Sequence, residues 1–286
     1  MPLSARSLFR PVWWLSNVLL GVALLATAWS GVWELSVRQY LKGFSDAIVP
    51  ELASPQQKVE AILSWMSKGP PRLSADHPES LSPRDPIDTL NYQQLLEVCG
   101  SGTNAFLNLS RSAGLEARRL LLLTPEHTAK HVVAEVHLDG RWVIVDPAYH
   151  VLMKDARGNL LTRKDLQNPE TLREATSSLP QYPPQYSYEK FTHVRLAALP
   201  FYSAGVRKLL DRFLPGWEEQ LDWSLLLERR SFLYLSISAI SLIFLVLVRV
   251  VLARVADRYL QIPRFHLLAN LGRATISFLR APEMKP

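Results

Sequence analysis

One cysteine in 286 residues, Cys99, rules out an internal disulfide even in an oxidising compartment. The 12 glycines include no phosphate-cradling loop, which leaves a nucleotide-binding reading without an anchor. No set of histidine, cysteine and carboxylate positions has metal-ligand spacing, so neither a metal nor another cofactor is expected. The chain also lacks internal repeats, and its only biased tract is a short proline-rich stretch.

Charge is missing from two long stretches. Pro11 to Trp33 is a run of 23 uncharged, largely apolar residues. At 1.5 Å per helical residue it is long enough to cross a bilayer core of about 30 Å. Ser231 to Val248 is a second run, of 18 residues, and it extends through Ala253 if Arg249 snorkels. Ala26-Thr27-Ala28 fits a small-residue cleavage site, but the apolar run continues to Trp33, which favours an uncleaved anchor. Residues 36–230 contain 23 cationic and 23 anionic side chains, so the net charge of +6 lies entirely outside them. A neutral middle with basic flanks is the wrong distribution for nucleic-acid binding. Arg6 and Arg10 before the first run, and Arg249, Arg254 and Arg258 after the second, place both termini in the cytoplasm by the positive-inside rule. The expected organisation is a cytoplasmic N-terminus at 1–11, a span at 12–33, an extracytoplasmic domain at 36–230, a span at 231–253 and a cytoplasmic tail at 254–286. In bacterial terms this is an inner-membrane protein with a periplasmic domain.

Within the middle region, Ser54-Pro55 opens a helix whose buried stripe is Val59, Ile62, Leu63 and Met66. Residues 69–86, rich in Pro, Ser and Asp, read as a surface loop. Gly102, Ala105, Phe106, Leu109 and Ala113 then recur at helical spacing, and Gly114-Leu115 forms a left-handed stop. Cys99 therefore lies at or just before a helix N-terminus, where unpaired N–H groups and the helix dipole favour a thiolate. Gly100 and Gly102 keep bulk away from the sulfur.

Ala117 to Leu123 reads as a strand, followed by a polar connection from Thr124 to Lys130. His131–Leu138 and Arg141–Asp146 flank Asp139-Gly140, a two-residue hairpin turn. Such a turn pairs Leu138 with Arg141 and, counting outward, Val133 with Asp146 and His131 with Ala148. Alternation puts His131 on the face of Val133, making Asp146 its diagonal neighbour at roughly 7–8 Å, within side-chain reach. A thiol near 8.5 needs such help: an imidazolium and a helix N-terminus lower it, and a carboxylate fixes the imidazole tautomer. His127, in the connection, reads as a surface histidine and a less favoured base.

These residues make the chain resemble the transglutaminase-like superfamily, whose core is similar to that of papain-type cysteine proteases. The resemblance runs from about Asp85 to Lys164. It rests on Asp85-Pro86-Ile87-Asp88-Thr89-Leu90, on Cys99 and its helix, and on His131 through Pro147 with Glu135, Gly140, Trp142 and Asp146. It implies an α+β fold in which an N-terminal catalytic helix packs on an antiparallel sheet, flanked here by two transmembrane helices. It also implies that Cys99 is the nucleophile, His131 the general base and acid, and Asp146 the orienting carboxylate. Gln93 or Gln94 would join the Cys99 N–H at the oxyanion site, with Glu135 and Trp142 in support. The chain departs from the family at Leu95-Leu96-Glu97-Val98-Cys99, where glycines follow the cysteine instead of preceding it.

The implied activity is acyl transfer through a thioester, ending in amide hydrolysis or transamidation of a protein or peptide-like envelope or surface substrate. The alternative is a non-catalytic scaffold or assembly subunit of a membrane complex. Two further stretches bear on partners. Leu179 to Tyr188 is expected to be extended, wrapping the domain edge or binding a peptide. Phe213, Trp217 and Trp223 read as an aromatic belt at the bilayer, and the basic tail reads as a lipid-surface helix or a docking surface for a membrane protein.

Overall fold

The computed structural model describes residues 5–68, 85–125, 128–179, 182–183, 185–193, 204–217, 226 and 229–260. The loop at 69–84, His127, Trp223 and the tail from 261 onward lie outside them. The first helix, α1, spans Ala5–Ile48, and the last, α8, spans Arg230–Val255 and runs into a wider turn at Ala256–Leu260. Both are long and apolar enough to cross a membrane, with mean hydropathy of 1.6 and 2.6 over their best windows.

The chain divides into two compact units: Ser30–Leu235, and the remainder formed by Met1–Trp29 with Ser236–Pro286. In the second of these the Arg249 guanidinium lies 3.2 Å from the centroid of the Trp13 ring. A cation is thus held by an aromatic face within an apolar stretch.

The sequence ends its first apolar run at Trp33, yet α1 continues to Ile48. Its C-terminal part is amphipathic: Val37 and Leu41 are buried, and Tyr40, Phe44 and Ile48 pack beside them. Phe44 meets Trp65 edge-on at 4.9 Å. Next come α2 (Pro55–Lys68), α3 (Pro86–Asn91), α4 (Gln93–Leu96) and α5 (Cys99–Ser112). The buried residues of α2 are Val59, Ile62, Leu63 and Met66, the stripe read from spacing.

The sheet is five-stranded and antiparallel, in the order β4-β3-β2-β1-β5: β1 Ala117–Leu123, β2 Ala129–Leu138, β3 Arg141–Asp146, β4 Val151–Leu152 and β5 Phe191–Thr192. Asp139 (φ 49°) and Gly140 (φ 76°) both take left-handed conformations, as the twist of a two-residue hairpin demands. The pairing runs from Leu138↔Arg141 to Ala134↔Val145, the expected register. The strand expected to begin at His131 begins two residues earlier, with an irregularity opposite Leu122/Leu123. Ala134, Val136, Val143 and Val145 share a core with α2 and with Ala105, Phe106 and Leu109 of α5. Val133, Ile144, Leu120 and Leu122 form a second core with Leu166 and Tyr188. That second core is completed by α6 (Pro169–Thr176), whose Leu172 and Ala175 pack against it. A last short helix, α7, spans Ala204–Phe213.

Trp217 corrects the expected belt. Only 2% of it is exposed, and its indole N–H donates to Asp211 Oδ1 at 2.9 Å, whereas Phe213 is 69% exposed.

Candidate active site

Cys99 is the first residue of α5. The preceding Val98 is extended and offers no capping side chain, so the first-turn N–H groups are left for another acceptor. A Cβ on Gly102 would collide with the Leu96 carbonyl, whereas one on Gly100 would meet open space. Gly102 thus lets α4 close against α5, while Gly100 keeps the approach to the thiol clear. The Gly100 carbonyl accepts from Arg119 Nη2 at 3.1 Å, tying the first turn of α5 to β1. Thr103 Oγ1 donates to the Val132 carbonyl at 3.1 Å and ties it to β2.

The hairpin brings the imidazole and the carboxylate together. His131 Nε2 lies 2.7 Å from Asp146 Oδ2, with His131 2% exposed and Asp146 fully buried. The other carboxylate oxygen accepts from the Ala148 N–H at 3.2 Å. With Nε2 engaged, Nδ1 has no nitrogen or oxygen partner among the described residues. The half-buried Cys99 thiol and the same ring each shift the other's titration. Nδ1 is therefore the nitrogen left to serve sulfur.

Burial alone would lower the His131 pKa. The Asp146 hydrogen bond, followed by the hydrogen bond and charge of Cys99, overcomes this and pushes it up to about 9. The His131 hydrogen bond in turn holds the Cys99 thiol below its ordinary value against the cost of burial, helped by the N–H groups of Gly100 and Val132. Each shift favours a charged form, the thiolate of Cys99 and the imidazolium of His131.

Four rings close around this pair. Tyr186 stacks on His131 at 4.2 Å and 7°, and Tyr182 meets Tyr186 edge-on at 5.4 Å. Tyr149 contacts Tyr182 at 4.8 Å and His131 at 6.1 Å. The Tyr182 hydroxyl lies 3.3 Å from that of Tyr188 and feels the charge of Asp146. Burial, then the neighbouring Tyr188 and Asp146, drives the Tyr182 phenol far above its ordinary value, so it stays a proton donor. Tyr182 and Tyr186, from the stretch expected to be extended, thus lie against the histidine–aspartate pair. The Tyr-x₃-Tyr-x-Tyr spacing of that stretch was visible in the sequence, but nothing local linked it to a hairpin some 40 residues earlier.

The supporting residues fall elsewhere. Glu135 pairs with Arg118 Nε at 2.7 Å and lies 3.7 Å from His193 Nε2, while Trp142 stacks under the Arg118 guanidinium at 4.1 Å. These side chains form a cluster on β1–β3 without contact to the thiol. Gln93, half-buried, and Gln94, exposed, sit on α4, and neither hydrogen-bonds Cys99 among the described residues. No group of three or more His, Cys, Asp and Glu side chains able to hold a metal ion occurs among the described residues.

A helix that begins at a thiol, packed on an antiparallel sheet that supplies an imidazole and a carboxylate, defines an α+β core of the papain-like cysteine-enzyme class. The family described as the transglutaminase-like superfamily matches residues 42–147, the stretch from the end of α1 through Cys99, His131 and Asp146. That stretch of the domain is similar to the superfamily. No curated protein and no solved structure matches the chain significantly.

Proposed function

We propose that the chain is a membrane-anchored cysteine enzyme that transfers acyl groups through a thioester on Cys99. The observation that carries this reading is the 2.7 Å His131–Asp146 bond, which leaves the second ring nitrogen to the thiol. The Cys99 thiolate attacks an amide or ester carbonyl carbon, and the carbonyl π-electrons move to oxygen. The N–H groups at the start of α5 are positioned to receive that charge. As the C–N or C–O bond breaks, protonated His131 gives its Nδ1 proton to the leaving amine or alcohol. Water or an amine then attacks the thioester, its proton returns to His131, and the thiolate is released. Asp146 keeps the ring oriented and stabilises its charged form throughout.

The two apolar helices and the basic flanks at Arg249, Arg254 and Arg258 support cytoplasmic termini and an extracytoplasmic domain. An enzyme so tethered acts on a peptide-like substrate of the envelope or surface. A reporter fused after Gly114 that works only in the cytoplasm would overturn this orientation.

The test is acylation of the full-length protein in lipid nanodiscs by p-nitrophenyl acetate. The expected result is a stoichiometric burst of nitrophenolate with an acetyl adduct on Cys99, absent in Cys99→Ala. Added primary amine accelerates turnover if the second step is transamidation. A folded protein without a burst or adduct would favour the non-catalytic scaffold.

A further inference from the structure

Beside the tyrosine ring lies a cavity of about 520 Å³, within the roughly 300–1,000 Å³ range of small-molecule sites. Leu166, Leu172, Leu179 and Thr176 line it together with Tyr182 and Tyr186, and Arg173 and Glu189 supply its charge. Neither Cys99 nor His131 reaches it, but Tyr186 belongs to both places: it lines the cavity and stacks on the His131 imidazole at 4.2 Å. Tyr182 likewise lines the cavity and meets Tyr186 edge-on. The cavity is therefore one aromatic ring away from the His131 imidazole. It is built by residues 166–189, beyond the stretch 42–147 matched by the family.

We propose that this cavity is a specificity subsite for a hydrophobic amino-acid side chain, aromatic or branched, of the acyl donor, an inference that rests on the acyl-transfer reading. The argument is one of chemistry and position. An apolar wall interrupted by a few polar groups takes a side chain that leaves water and leaves the flanking peptide at the polar edge. A side chain seated against Tyr186 presses on the ring that lies over His131. Occupancy therefore bears on the orientation of the imidazole and acts on the acylation step as well as on binding.

The experiment compares N-acetylphenylalanine and N-acetylglycine p-nitrophenyl esters as acylating probes of the full-length protein in nanodiscs. The phenylalanine probe is expected to acylate Cys99 about 10–100-fold faster, in line with the discrimination of a hydrophobic pocket. N-acetylphenylalaninamide should slow that probe by competition. Thr176→Trp, which projects an indole into the cavity from α6, should bring the ratio of the two rates close to one. Leu172→Trp should do the same from the neighbouring turn of the helix, and it serves if the first variant does not fold. Equal rates for the two probes, or a preference that survives both substitutions and the competitor, would overturn the subsite and leave acyl transfer standing. Failure of both probes to acylate Cys99 in a folded protein would overturn the subsite and the acyl-transfer reading together.

Discussion

Two of the buried ion pairs in the domain are alike in distance and differ in what surrounds them. His131 and Asp146 meet at 2.7 Å in the hairpin. Glu34 and Arg229, nearly 200 positions apart in sequence, meet at 2.8 Å where α1 enters the domain and the chain leaves it for α8. Glu34 is saturated: Arg38 Nε donates to it at 2.6 Å and Ser231 Oγ at 2.7 Å. Arg229 donates onward to Asn108 Oδ1 at 3.2 Å, and Asn108 Nδ2 donates to Asn104, so the network reaches into α5. At the other pair a ring nitrogen is kept without an oxygen or nitrogen partner, next to a thiol. A saturated buried pair holds elements in place, whereas an incompletely satisfied one has a group to spare for a reaction. Both pairs bear on the same helix: one reaches the interior of α5, and under the proposed mechanism the other activates its first residue.

Breaking each pair in turn separates the two roles. Asp146→Asn leaves the shape of the hairpin but removes the charge that fixes and stabilises the imidazolium. Acylation of Cys99 should fall on the order of 10³–10⁴-fold, measured as the burst rate, with the thermal midpoint little changed. Arg229→Met should have the opposite signature. It leaves the buried Glu34 with only Arg38 and Ser231 and takes the donor from Asn108, at a cost of about 3–5 kcal/mol in denaturant unfolding of the full-length protein, while the pH midpoint of Cys99 alkylation stays in place. Replacing Glu34 and Arg229 together by Met should recover most of that loss, because no buried carboxylate is left short of a partner. The smallest expected effect is that of Tyr186→Leu. Loss of the stacked ring removes about 0.5–1.5 kcal/mol of support for the imidazole orientation, read as a several-fold slower burst. Equal loss of stability in Asp146→Asn and Arg229→Met, with no difference in burst rate, would erase the distinction between the pairs.

Local periodicity carried a good part of this in the sequence. The buried stripe of α2, the helix from Cys99 to the stop at Gly114 and the Asp139-Gly140 register all depend on neighbours within a few residues, where spacing and turn chemistry decide the outcome. The approach of His131 to Asp146 followed from the register alone. What escaped depends on contacts remote in sequence. Tyr182 and Tyr186 return to the hairpin from about 50 positions downstream. Glu34 reads locally as the charge that ends a span, and only the fold reveals Arg229 and Ser231 around it. The same charge hid the continuation of α1, since Glu34 and Arg38 interrupt the apolar run while Val37 and Leu41 keep its helical spacing. Trp217 misled for the converse reason: an aromatic residue near a span suggested an interface, but its indole is buried and bonded to Asp211 six positions earlier.

The pH dependence of Cys99 alkylation in the full-length protein, with and without His131→Ala, tests the thiolate–imidazolium pair most directly. The account predicts a wild-type acid limb well below the roughly 8.5 of a free thiol and a second transition near 9, where His131 loses its proton. The same account predicts that His131→Ala moves the first transition up toward the free-thiol value and abolishes the second. A wild-type thiol that titrates like free cysteine and ignores the loss of His131 would contradict it.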